Sequence, residues 1–156
     1  MTRKIELLLA EYGDSHQNHT NKAVHWICVP IIVWTVMVLF YSLPVPAVFA
    51  SIAWANWLTL VLTLALIYYV LLSPTLAIGV AAYAALGVYL ILAYQAAFSW
   101  PIWQFAAVLF VLAWLGQFWG HKVEGKKPSF FKDVQFLLIG PAWLLSFVYR
   151  KLGIPV

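Results

Sequence analysis

From Ala23 to Trp119 the chain is a nearly continuous apolar block, interrupted only by short turns. Ahead of it the apolar positions are spaced rather than continuous. Ile5, Leu8, Leu9 and Tyr12 recur at helical steps, with Arg3, Lys4, Glu6 and Glu11 elsewhere around the turn. That pattern predicts a short amphipathic helix over Thr2–Tyr12, stopped at Gly13, lying on a membrane surface or packed on a neighbouring subunit or loop. Inside the block, Leu43-Pro-Val-Pro46, Ser73-Pro74 and Ser99-Trp100-Pro101 are turn sequences. They divide it into four apolar segments, at about 23–41, 48–72, 75–98 and 102–119. Runs of about 20 apolar residues cross a bilayer core of roughly 30 Å, so all four are expected to span. The third is rich in Ala and Gly and can sit close to its neighbours. Trp26, Tyr41, Trp54, Trp100, Trp103 and Trp119 fall near segment ends, where interfacial aromatics belong.

Beyond the block comes a polar hinge, GHKVEGKKPSFFKD, and then a second apolar stretch over 134–149. It is short for a span, carries Gly140-Pro141 in its middle and has basic residues at both flanks. The expectation is a re-entrant or interfacial hairpin, with a short tilted span as the other reading. The predicted architecture is an all-α integral membrane domain over residues 1–156: an N-terminal amphipathic helix, four transmembrane helices and a C-terminal hairpin.

Composition narrows the class. The chain is 65% hydrophobic and 9% charged, against roughly 25% charged in soluble domains. All nine Lys and Arg lie outside the apolar block, and no charged residue occurs between Lys22 and Lys122. The net charge of +4 therefore marks membrane anchoring and contact with lipid headgroups rather than nucleic-acid binding. An even number of spans with basic ends places both termini in the cytoplasm, in a bacterial inner membrane or the endoplasmic reticulum. No signal peptide is expected, because the apolar part of IELLLA is too short. The lone Cys28 lies in an apolar run and reads as a packed thiol. The sequence leaves oligomeric state open, a homo-oligomer included.

The candidate chemistry sits at the two borders of the block. His16, His19 and His25 lie at its start, in SHQNHTNKAVHWICVP, and His121 lies at its end. With four spans, all four histidines come to one membrane face. A single border histidine is most simply a hydrogen-bond partner of a headgroup or carbonyl. A set gathered at one face is a metal-site candidate, since imidazole suits iron, zinc, copper and nickel. On one unbroken helix His16 and His25 point in roughly opposite directions. Sharing a metal therefore needs a break near Asn18–Asn21, with Thr20 or Asn21 as N-cap of the next helix. Gln117, His121 and Glu124 share one helix face. Gln117 is placed to orient a ligand, and Glu124 is either a carboxylate ligand or a solvated charge near Lys126-Lys127. Asn18 and Asn21 are caps or donors behind the ligands. The chain has no HxxxH or HxxHH box, no phosphate loop, no GxSxG and no CxxC.

SHQNHTNKAVHWICVP, together with QFWGHKVEGKKPSFFKDVQFLLIGP, resembles the membrane family of Fe(II)-dependent 2-hydroxy fatty acid dioxygenases, whose characterised eukaryotic member acts in phytosphingosine degradation. His16, Asn18, Asn21, Lys22 and His25 match its first motif; Gln117, Gly120, His121 and Pro128 match its second. His19 is not a position where the family is expected to require histidine, and Cys28 stands where many relatives have glycine. The resemblance implies fatty acid α-oxidation: a long-chain 2-hydroxy acid and O2 yield CO2 and an acid one carbon shorter. It also implies Fe(II) held by His16, His25 and His121, with Lys22 or Lys122 available to pair with the substrate carboxylate. Tyr68 and Tyr69 read as interfacial anchors or as lining of a tail entrance. The residues by themselves leave two other classes open, a haem electron carrier using His25 and His121 and a non-catalytic lipid-binding protein.

Overall fold

The computed structural model describes residues 3–49, 51–52, 54–125 and 136–156. These residues form α1 (Lys4–Asp14), α2 (His19–Tyr41), a short 3-10 turn (Ala47–Phe49), α3 (Trp57–Leu72), α4 (Pro74–Ala97), α5 (Ile102–Glu124) and α6 (Ile139–Lys151). No strand occurs among the described residues.

Three helices, α2, α4 and α5, are long and apolar enough to cross a membrane. Their outward faces, with α3, carry exposed Ile27, Leu64, Leu71, Ile78, Leu86 and Leu112. A soluble protein rarely leaves apolar surface of that extent in water. α3 is shorter than the expected second segment. It starts at Trp57 rather than near residue 48, because Asn56 caps it by accepting from Thr59 N while Thr59 Oγ1 accepts from Asn56 N, each at 3.0 Å. At about 1.5 Å per residue it rises roughly 24 Å, short of the bilayer core. Ser73-Pro74 makes the tight turn expected: Ser73 caps α4 and Pro74 opens it, where a missing N–H costs nothing.

The C-terminal stretch differs from the hairpin reading. Gly140-Pro141 falls in the first turn of α6, so among the described residues the segment is one helix rather than two arms. Proline is tolerated there because the first N–H groups of a helix have no intrahelical partner. The polar hinge at Lys126 and beyond, with Pro128, Lys132, Asp133 and Val134, lies outside the described residues.

α2 and α5 form the most extensive helix pair. Small residues let them approach: a Cβ on Gly116 would stand 2.8 Å from Cys28 Sγ, and one on Gly120 would stand 2.6 Å from Asn21 Oδ1. Cys28 is thus the packed thiol expected from the sequence. α1 does not float on a surface by itself. Ile5, Leu9 and Tyr12 bury against Ile139, Ala142 and Trp143 of α6, in a core shared with Val29, Tyr69 and Leu76. The amphipathic stripe therefore packs within the chain, on α6 rather than on a neighbouring subunit or loop.

Candidate metal centre

His16 stands in the four-residue link between α1 and α2, His25 nearly two turns into α2, and His121 in the last turn of α5. The required break between His16 and His25 is present within the expected stretch. The cap is Asn18 rather than Thr20 or Asn21: its side chain accepts from Thr20 N at 2.8 Å and Asn21 N at 3.4 Å. Gly125, at φ 76°, ends α5 one residue after Glu124. Glycine takes that left-handed conformation without the usual side-chain penalty.

The break turns His16 back over the start of α2. Its ring lies 4.1 Å from that of His25 and 5.3 Å from that of His121, and His25 and His121 are 5.0 Å apart, all centroid to centroid. One ring nitrogen from each gathers within 4.8 Å of the others. All three side chains are buried, at 2%, 1% and 4% exposure. His19 is exposed at the start of α2 and stands outside the cluster.

The donor set fits a metal. His16 Nδ1 meets Tyr12 O at 2.6 Å, and His25 Nδ1 meets Asn21 O at 2.9 Å. A carbonyl oxygen can only accept, so in each ring Nδ1 carries the proton and Nε2 keeps its lone pair. This is how protein metal sites fix the tautomer and orientation of a ligating imidazole. The same partner type four residues upstream serves both histidines. Tyr12 also stacks on His16, with centroids 4.3 Å apart and planes at 9°, and Trp143 of α6 leans on it at 5.2 Å. His16 lies beside the midpoint of the His25–His121 pair, where a haem ligated by those two would have to extend. The three-ring gathering disfavours that class.

Glu124 lies outside the histidine cluster, and its half-exposed carboxylate has a structural task as well. Its carboxylate accepts from Gln17 N at 2.9 Å, Asn18 N at 2.8 Å and Asn21 Nδ2 at 3.0 Å. Asn21 Nδ2 also donates to Ser15 O at 3.2 Å. Glu124 therefore ties the end of α5 to the link that carries His16, and it is not part of the histidine cluster. Asn21 is completely buried and bridges the two sides. Gln117 is buried one turn before His121 and lines a small cavity with Tyr12, Val29 and Gly140.

Lys22 is half-buried and, with His16, lines a polar cavity of about 310 Å³ that also receives Glu6, Asp14 and Arg150. Lys122 is exposed and does not line it. Tyr69 is 2% exposed and donates its hydroxyl to Leu138 O, so it is a core residue and not an interfacial anchor. Tyr68 is half-buried beside it. Three partners of the site escaped the sequence reading. Tyr12 was legible in its spacing, four residues before His16. Trp143 and Arg150 carry no such signal, because only tertiary packing brings α6 to His16.

The family model described as Mpo1-like, 2-hydroxy-palmitic acid dioxygenase Mpo1-like, matches residues 2–152. No curated protein and no solved structure matches the chain.

Proposed function

The chain belongs to the Mpo1-like family, and from that premise we propose that it is an Fe(II)-dependent dioxygenase of long-chain 2-hydroxy fatty acids. The observation that carries the reading is the buried triad of His16, His25 and His121, whose Nδ1 protons on two rings are committed to backbone carbonyls. The reaction is RCH(OH)COOH + O2 → RCOOH + CO2 + H2O. It balances without a further reductant, since the substrate gives up four electrons and O2 takes four. Neither 2-oxoglutarate nor NAD(P)H is required. Iron held by the triad would supply the Lewis acidity that orients a vicinal hydroxyl and carboxylate, and the redox centre for O2.

The chain's own residues do the rest. Tyr12 O and Asn21 O hold the two imidazoles in one tautomer. Glu124 and Asn21 hold the link that delivers His16. Lys22 and Arg150 offer positive charge to the acid headgroup from the polar cavity beside His16. The burial of the rings excludes bulk water. We further propose that α3 completes four spans, leaving both termini on the cytoplasmic side, because all Lys and Arg lie outside the apolar block. This architecture sets the triad at a membrane border, where an acyl tail stays in an apolar environment while its head reaches the histidines.

The test uses full-length protein in detergent with Fe(II), O2 and 2-hydroxypalmitic acid, followed by mass spectrometry. The expected product is the acid one carbon shorter, formed without 2-oxoglutarate or NADPH. Alanine at His16, His25 or His121 abolishes it, and His19→Ala does not. Equal turnover of unsubstituted palmitic acid, or strict dependence on either co-substrate, refutes the reading.

A further inference from the structure

Two apolar cavities, of about 160 and 150 Å³, lie between α2, α3, α4 and α6, and Val80, Tyr83 and Pro141 form walls of both. A third, of about 20 Å³, stands between them and the histidines. It shares Val29 with one and Leu137 with the other, and its opposite wall is Tyr12, which stacks on His16, and Gln117, one turn from His121. Shared walls set the three side by side: a narrow neck against Tyr12 and Gln117, and beyond it two apolar cavities that adjoin as one chamber.

The chamber offers almost nothing polar. Its two tyrosines have spent their hydroxyls on the backbone, Tyr83 on Pro30 O at 2.5 Å and Tyr69 on Leu138 O. An occupant therefore has to be hydrocarbon, since a polar group would go in unsatisfied. The length also fits. From Val29 at the neck to Phe40 at the far wall, α2 rises about 16 Å, close to the roughly 15 Å that one leaflet's acyl tails fill in a bilayer core. The neck is kept open by glycine: a Cβ on Gly140 would stand 3.1 Å from Tyr12 Oη and 3.2 Å from Val29 Cγ1.

We infer that this chamber holds the acyl tail of the 2-hydroxy acid, and that its far wall, Phe40, Leu58 and Val61, sets the preferred chain length. The inference rests on the proposed dioxygenase reading for the identity of the head, and it adds the place of the tail and the residues that measure it.

The test is photolabelling of the full-length protein with 2-hydroxypalmitic acid carrying a terminal diazirine, followed by peptide mass spectrometry. Label is expected on α2 and α3 around Phe40, Leu58 and Val61, and excess unlabelled 2-hydroxypalmitic acid displaces it. Label confined to outward residues such as Leu71 and Ile78 overturns the inference, as does chamber label that the acid does not displace, which is the behaviour of a resident lipid. Val61→Phe fills the far end. Each methylene that loses its burial costs about fourfold in affinity, so displacing two shifts the preference for 2-hydroxymyristic over 2-hydroxypalmitic acid by roughly tenfold or more. Displaceable label with an unchanged length preference in Val61→Phe overturns the ruler. The two proposals fail separately. Displaceable chamber label without turnover leaves the tail site standing and removes the dioxygenase reading; turnover with outward label does the reverse.

Discussion

Replacing Glu124 with glutamine should unfasten the site while leaving the helices intact. The wild-type carboxylate accepts three N–H bonds, two from the backbone of Gln17 and Asn18 and one from the Asn21 side chain. Both oxygens are used, Oε1 by Gln17 and Oε2 by Asn18 and Asn21. Glutamine keeps the shape but offers one acceptor, and its NH2 group then faces at least one N–H. A hydrogen bond to a charged group contributes about 1.5–3 kcal/mol. Glu124 is half-exposed, so water replaces part of what is lost, and a net cost of about 2–3 kcal/mol for the joint is reasonable. That cost falls on the placement of His16, because the bonded residues are its immediate chain neighbours. If it is felt only in the metal-bound form, it lowers metal affinity roughly 30- to 150-fold, at 1.4 kcal/mol per factor of ten. The assay is anaerobic titration of purified protein with Fe(II), or with Co(II) as a spectroscopic stand-in. Far-ultraviolet circular dichroism run alongside should show unchanged helix content. Wild-type affinity in Glu124→Gln would mean that His16 is held by its own packing against Tyr12 and Trp143, and that the carboxylate joint does not position it.

Two further outcomes follow from the same geometry. Gly120→Ala places a Cβ 2.6 Å from Asn21 Oδ1, and Asn21 is fully buried and cannot yield, so α2 and α5 should part at the cost of about 1–3 kcal/mol; a thermal midpoint and metal affinity equal to wild type would contradict the close approach. In a Cys28→Ser background, single cysteines at positions 1 and 156 should both be labelled only from the cytoplasmic side; opposite accessibility of the two would exclude an even number of spans.

The helices were legible because apolar run length and turn chemistry are local properties. Segments one, three and four agree with α2, α4 and α5 to within a few residues at each end. The second was misjudged at its start, since Val48 and Phe49 are apolar without being part of α3, and a cap at Asn56 outweighs hydrophobicity there. The histidines could be grouped from sequence because the expected even count of spans would return both borders of the block to one face, and the structure brings His16, His25 and His121 together. What the sequence could not supply was the way His16 arrives. Its direction is decided by a four-residue link whose conformation depends on Glu124, more than a hundred positions away. The carboxylate looked like a ligand or a solvated charge because each of those roles can be read from one helix face. Its structural role needs α2 and α5 to be packed first, which the small residues Gly116 and Gly120 allow. The same holds for Trp143 and Arg150. α6 reads as a separate apolar stretch along the chain, yet it packs on α1, sets Trp143 against His16 and Tyr12, and brings Arg150 to the polar cavity beside His16. A candidate metal site built this way depends on α1 as much as on its three histidines: weakening the burial of Ile5 or Leu9 should loosen Tyr12, and through it the carbonyl and the stacked ring that hold His16 with Nε2 unprotonated.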